Sequence, residues 1–185
     1  MAITRISGAN AISGTIPAAN VATLTSSNLP TGTVLQTVSG ISTYVFSSSS
    51  LSYTDIESSS GTTWETAITL SSTSNKVLIL PSVHIYSARS GHNEFRTGVK
   101  MLGKIGSGSY AQIGDAGTPA RFGGYDYGGS GGIVGQSYAQ SFLWSPSSTD
   151  ELKVKFQVKV NNTSAGVDVS PDNYRSVVNL LEIQG

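Results

Sequence analysis

Glu151-Leu152-Lys153-Val154-Lys155-Phe156-Gln157-Val158-Lys159-Val160 is the stretch that decides the fold class. Leu152, Val154, Phe156, Val158 and Val160 fall on one parity; Lys153, Lys155, Gln157 and Lys159 fall on the other. That period of two is a strand with one apolar and one solvated face, and no helix can present it. The preceding Ser148-Thr149-Asp150-Glu151 has the composition of a helix cap, but the alternation behind it overrules a helix.

Working outward, the same signal recurs. Val34–Val38 and Ile41–Phe46 flank Ser39-Gly40, which reads as a tight turn. Ala67–Leu70 and Val77–Tyr86 are rich in β-branched residues, and Pro81 inside the second predicts an edge strand or a bulge. Phe95, Thr97, Val99 and Met101 share one parity against Arg96 and Lys100; Val134, Tyr138, Phe142 and Trp144 share another face. Val177, Val178, Leu180, Leu181 and Ile183 are apolar on both parities, which predicts cover on both sides from a second sheet or a neighbouring subunit. About eight short strands with Ser/Gly/Asn turns predict an all-β antiparallel sandwich or jelly roll over residues 34–185.

Composition narrows the function. Of 185 residues only 12% are charged, eleven basic against eleven acidic, and Ser and Thr, roughly a quarter of the chain, supply the polar surface instead. An average domain carries about 25% charged residues. Zero net charge argues against a nucleic-acid partner, which needs clustered Lys and Arg. No apolar run approaches the ~20 residues of a membrane span, and Met1–Arg5 lacks the layout of a signal peptide. Without cysteine there is no disulfide, thiol nucleophile or Cys-ligated metal.

Residues 1–33 form a separate segment. Ile3, Ile6, Ile12, Ile16, Val21, Leu24 and Leu29 stand as single apolar beads among Gly, Ala, Ser, Thr and Asn, with Gly8, Gly14, Gly32, Pro17 and Pro30 breaking any helix. Too few apolar contacts exist for the segment to bury itself. It reads as a disordered tail or as a stalk whose beads pack against copies of the same chain, with the regular beads favouring the stalk.

Chemistry for a reaction is sparse. His84 lies in a strand and reads as structural; His92 sits in a turn, and Asp168 with Asp172 could frame only a weak cation loop. Ser58–Trp64 ends like a sialidase-type Asp-box but has Ser59 where the Asp belongs. There is no Gly-x-Ser-x-Gly elbow and no phosphate loop. No catalytic residue, metal ligand or cofactor site is expected, and the chain reads as non-enzymatic. The longest irregular stretch, Gly114–Gly132, carries Arg121, Phe122, Tyr125, Asp126 and Tyr127. Tyrosines on a Gly-rich loop suit a receptor-contact surface; packing of the same aromatics over the sheet is the alternative.

Several stretches together resemble small tail-fibre-like virion appendage proteins of tailed bacteriophages, particularly phages of aquatic bacteria. They are Met1–Gly8, the Ile-Ser-Gly-Thr-Ile beads, Gly32–Val38, Ser71–Ile79, Arg96–Gly106, Leu143–Pro146 and Leu180–Ile183. The resemblance implies a homotrimeric virion part assembled in the cytoplasm of an infected bacterium. Its N-terminus would attach to tail or capsid proteins, and its β-rich head would touch a host-surface glycan or protein. It transfers no catalytic residues. The chain is short for a tail fibre and shows no large N-terminal anchor domain, which leaves a capsid decoration, cement or head-fibre protein as the alternative, and a polysaccharide-degrading enzyme as a more distant one.

Overall fold

The structure is a computed structural model that describes residues 29–89, 94–114, 120–125, 132–162, 165–171 and 174–185; residues 88–89, 94–95, 120–125 and 132–133 are described by their backbone only. Six of the seven N-terminal beads, and Asp126 and Tyr127, lie outside the described residues, as do His92 and Asp172. Fifteen strands and no α-helix occur among the described residues, all paired antiparallel.

The first sheet has β7 (Lys76–Arg89) as its one unbroken strand. On one side run β15 (Ser176–Ile183) and then β14 (Ala165–Val169), with β1 (Val34–Ser42) and β2 (Phe46–Ser48) beyond them. On the other run β12 (Phe142–Trp144) and β11 (Gly132–Tyr138). The second sheet is centred on β8 (Glu94–Ile105) and β13 (Glu151–Val160). Outside β8 lie β9 (Ala111–Gln112) and β10 (Ala120–Tyr125); outside β13 lie β6 (Glu65–Thr69) and β3 (Thr54–Asp55). A small hairpin of β4 (Glu57–Ser59) and β5 (Thr62–Thr63) turns at Gly61, whose φ of 73° suits glycine.

The inner side chains of both sheets join in one hydrophobic cluster. Phe156 on β13, 1% exposed, sits at its centre: Trp64 tilts against it at 5.7 Å and Tyr138 of the first sheet meets it edge-on at 6.0 Å. Burying such a side chain stabilises by about 1.5–3 kcal/mol. Leu152, Val154, Val158 and Val160 join Phe156 in the core as the alternation predicts. Polar groups also cross between the sheets. Ser87 and Thr97 share a buried hydroxyl–hydroxyl bond of 2.6 Å, and the Gln36 amide donates to the carbonyl of Thr69 at 2.6 Å.

Among the described residues two charged side chains are buried, Lys155 of the second sheet and, more deeply, Glu182 of the first. Glu182, on the inner face of β15, is 1% exposed. Its Oε1 accepts from the Ser71 backbone N–H (2.7 Å), the Ser71 hydroxyl (2.7 Å) and the Asn75 amide (2.6 Å); its Oε2 accepts from the Gln36 amide (2.6 Å). Burial by itself would raise this carboxyl. The bonds from Asn75, Ser71 and Gln36 outweigh it and hold the pKa below the ordinary carboxylate range. The cluster ties β1, β15 and the β6–β7 turn together.

Three local expectations are corrected. Ser39-Gly40 is not a turn: β1 runs straight through it, paired to Asn179 and Val178. Gly40 faces inward, and a Cβ there would overlap Thr66 Oγ1, so the glycine serves a close approach between sheets. Pro81 lies in the central strand rather than at an edge. Tyr138 pairs with Val83 and Phe142 with Ile79, so the register is unbroken while the ladder lapses at 139–141, opposite Pro81, which has no N–H to give. Finally, Gly114–Gly132 is not irregular throughout. Ala120–Tyr125 is a strand, so Arg121, Phe122 and Tyr125 are held in sheet register on β8, not on a free loop.

Candidate binding face

The two sheets carry different outer faces. On the first, β15 turns Val177, Asn179, Leu181 and Ile183 outward, all half-buried. Cross-strand register continues the apolar surface: Ile41 is opposite Val177, and Leu181 is opposite Leu78, which is opposite Leu143. Ile41 is 54% exposed, Leu143 48% and Leu80 37%. Four neighbouring strands thus present aliphatic side chains to the outside. Leu29, also half-buried, stands just before the point where the chain joins the fold at one end of this face, through the Gly32 N–H to the Gln184 carbonyl (2.9 Å). His84 lies further along, its Nδ1 3.1 Å from the Ser137 hydroxyl and its ring 5.3 Å from that of Tyr174.

The outer face of the second sheet is cationic. Arg96, Lys100 and Lys104 of β8 and Lys153, Lys155 and Lys159 of β13 share it, six of the eleven basic residues of the chain. Its two ends are treated differently. At one end two of the cations, Lys153 and Lys155, are ion-paired, and Lys104 lies over the Tyr110 ring. Lys155, 9% exposed, binds Asp55 at 2.7 Å with its ammonium 4.1 Å from the Tyr110 ring; Gln157 donates to the other Asp55 oxygen at 2.7 Å. Lys153 lies 3.7 Å from Glu65 and 3.5 Å from Glu151. The Tyr110 hydroxyl donates to Glu65 at 2.6 Å. Burial, then that bond and the neighbouring carboxylates, push the Tyr110 phenol above its ordinary value, so it stays protonated.

At the other end no carboxylate among the described residues pairs with Lys100 or Lys159. Both ammonium groups instead lie over the Tyr53 ring, at 4.3 and 4.8 Å from its centroid. Gly98, between them on β8, makes this possible: a Cβ there would stand 2.7 Å from the Tyr53 hydroxyl oxygen. Tyr53, Arg96, Lys159 and Asn161, with exposed Leu51, line an open cleft of about 440 Å³. Asn161 is fixed by two bonds to Arg96, its Oδ1 accepting the Arg96 N–H at 2.7 Å and its own N–H donating to the Arg96 carbonyl at 3.0 Å.

Of the expected receptor-contact residues, Arg121, Phe122 and Tyr125 lie on β10, whose backbone pairs with β8 on the side away from β13. Arg121 pairs in register with Gly98, Gly123 with Arg96 and Tyr125 with Glu94. What the sequence missed is Tyr53 with Lys100 and Lys159, which come together from 53, 100 and 159 only through strand register; the even-numbered cations of β8 beside the odd-numbered ones of β13 were the available signal. Ser58–Trp64 is a structural hairpin, with Trp64 in the core. Among the described residues no three His, Asp or Glu side chains converge on a common point. No protein-family model matches the chain, and no curated protein matches its sequence.

Proposed function

We propose that the chain is a non-enzymatic virion structural protein of a tailed bacteriophage, a tail-fibre-like appendage subunit assembled in the cytoplasm of an infected bacterium. Residues 1–33 attach it to other virion proteins, and residues 34–185 form a β-sandwich or jelly-roll head that contacts the host surface. Three copies assemble, sharing the beads of the N-terminal segment and the apolar outer face around Ile41, Leu78, Leu143 and Leu181.

The observation that carries this reading is that apolar face. Exposed contiguous aliphatic surface of this kind marks an interaction site on a soluble protein, and three-fold closure is a natural symmetry for an appendage. Its nearness to the chain's entry at Gly32 lets one assembly use both the segment and the face. Repetition of the head also raises avidity for a weakly bound surface ligand. The test is to locate the chain in intact virions by cryo-electron microscopy. A few trimers on the tail are expected. Hundreds of copies on the capsid shell would replace the appendage reading with a decoration protein, and absence from the particle would overturn both.

A further inference from the structure

A sheet edge offers unpaired N–H and C=O groups to any passing strand, and folded proteins ordinarily blunt it with charge, proline or a cover. The second sheet carries such charge: its outer strands hold Asp55 on β3, Glu65 on β6 and Arg121 on β10. The first sheet is different. One of its edges is β1 continued by β2, residues 34–48; the other is β11 continued by β12, residues 132–144. Neither run contains a charged residue or a proline. No strand among the described residues pairs with the outer side of either.

The two edges also match each other. β1 and β2 run in the direction of β7, each through one antiparallel neighbour, whereas β11 and β12 run against it. Brought together from two copies in the same orientation, the edges are antiparallel, as every strand pair within the fold is. Their heights agree as well. Register carries Thr37 level across Leu181 and Leu78 to Leu143; Ser39 is level with Asn179 and Leu80, and Ile41 with Val177 and Ser82. A copy displaced sideways by the width of the sheet therefore brings Thr37 beside Leu143 of the next copy. Such head-to-tail contact closes into a ring when the copies rotate about an axis along the strands. Turning the aliphatic face to that axis gathers exposed Ile41, Leu80 and Leu143 of every copy; turning it outward leaves them in water.

We infer that the two edges of the first sheet are the subunit interface: the β1 edge of one copy pairs antiparallel with the β12 edge of the next, making one sheet around a ring of three copies. This deepens the trimer reading proposed above and rests on it. The occupant of each edge is a second copy and not a foreign strand, because the chain carries its own matching edge, opposite in direction, equally uncharged and at the same height. The aliphatic face alone would let copies meet at many angles; strand pairing fixes orientation and register. Two-fold pairing of β1 with β1 would leave the second edge bare.

The test is disulfide trapping in the full chain, which has no cysteine of its own. Thr37→Cys is combined in turn with Ala139→Cys, Ser141→Cys and Leu143→Cys, all at exposed positions. Three partners are used because strand tilt staggers the register of a closed ring. Within one copy Thr37 and Leu143 are three strand spacings apart, about 14 Å, beyond the reach of a disulfide. Mild oxidation is expected to convert at least one double variant mainly into a covalent trimer on a non-reducing gel, reversed by reductant, and to leave each single variant uncrosslinked. Thermal melts of the reduced variants control for folding. A covalent dimer from Thr37→Cys alone would mean two-fold pairing of β1 and would overturn the proposal; a ladder of covalent oligomers beyond the trimer would mean an open chain and overturn the ring. A native chain that sediments as a trimer, with no intermolecular disulfide in any folded double variant, overturns the edge pairing and leaves the trimer reading standing. A native chain that stays monomeric overturns both.

Discussion

The outer faces of the two sheets differ more than their inner faces do. Both inner faces are built from Val, Ile, Leu and Phe and merge into one core. Outside, the first sheet shows Ile41, Leu78, Leu80, Leu143 and Leu181, and the second shows six Lys or Arg side chains on two adjacent strands. A solvated β-sheet face is ordinarily polar. The difference teaches that one fold can carry two chemically distinct surfaces, and on the reading proposed above the aliphatic one is the face that copies of the chain cover. Four strands, β1, β15, β7 and β12, set the character of the first face, and the pair β8 and β13 that of the second.

The largest expected effect tests whether the faces share one support. Phe156→Ala should lower stability by about 3–5 kcal/mol, because it removes a ring that touches both sheets. Urea unfolding should show one transition followed equally by probes on either face; two separate transitions would mean that the faces belong to independent units.

Next comes Glu182, which anchors the first sheet from inside. Glu182→Ala leaves the Ser71 N–H, Asn75 and Gln36 donors without their acceptor and should cost about 2–4 kcal/mol in the same measurement. Its pH dependence has a fixed sign. The folded pKa is lowered, so the stabilisation is fully present above the unfolded value of about 4.3 and is lost as pH falls through the folded value. Native stability should therefore fall in acid below that unfolded value, and Glu182→Gln should flatten this part of the profile. A profile unchanged by Glu182→Gln would contradict the charged, hydrogen-bonded state.

The charge-paired end of the second face should yield less. Tyr110→Phe removes the hydroxyl bonded to Glu65 and should cost about 1 kcal/mol by thermal melting. It leaves the ring under Lys104 and Lys155, so the loss reports the hydroxyl bond alone. A melting temperature unchanged by Tyr110→Phe would mean that the Glu65 bond contributes nothing to the fold.

Local pattern made much of this readable. The Leu152–Val160 alternation and the doubly apolar Val177–Ile183 strand could be placed from residue types alone, because side-chain period and burial are short-range properties. Gly40 and Pro81 misled for one reason: each is a turn or edge signal locally, and here each answers a neighbour distant in sequence, Thr66 for Gly40 and the 139–141 gap for Pro81. The backbone of Ala120–Tyr125 is glycine-rich and weakly patterned, so its pairing to β8 was not visible. The Tyr53 cleft is legible only after register is known, since the alternation of Arg96, Gly98 and Lys100 says nothing about which tyrosine will lie over the gap.

Sedimentation equilibrium of the full chain, beside Ile41→Asp with Leu181→Asp, tests the central claim most directly. Both positions are exposed or half-buried on the outer face, so the doubly substituted chain should fold with only a modest change in melting temperature. The native chain should sediment as a trimer, and the variant should dissociate at concentrations where the native chain does not. A native chain that stays monomeric at every concentration, or a variant that associates as tightly as the native chain, would contradict the reading of that face as the one its copies cover.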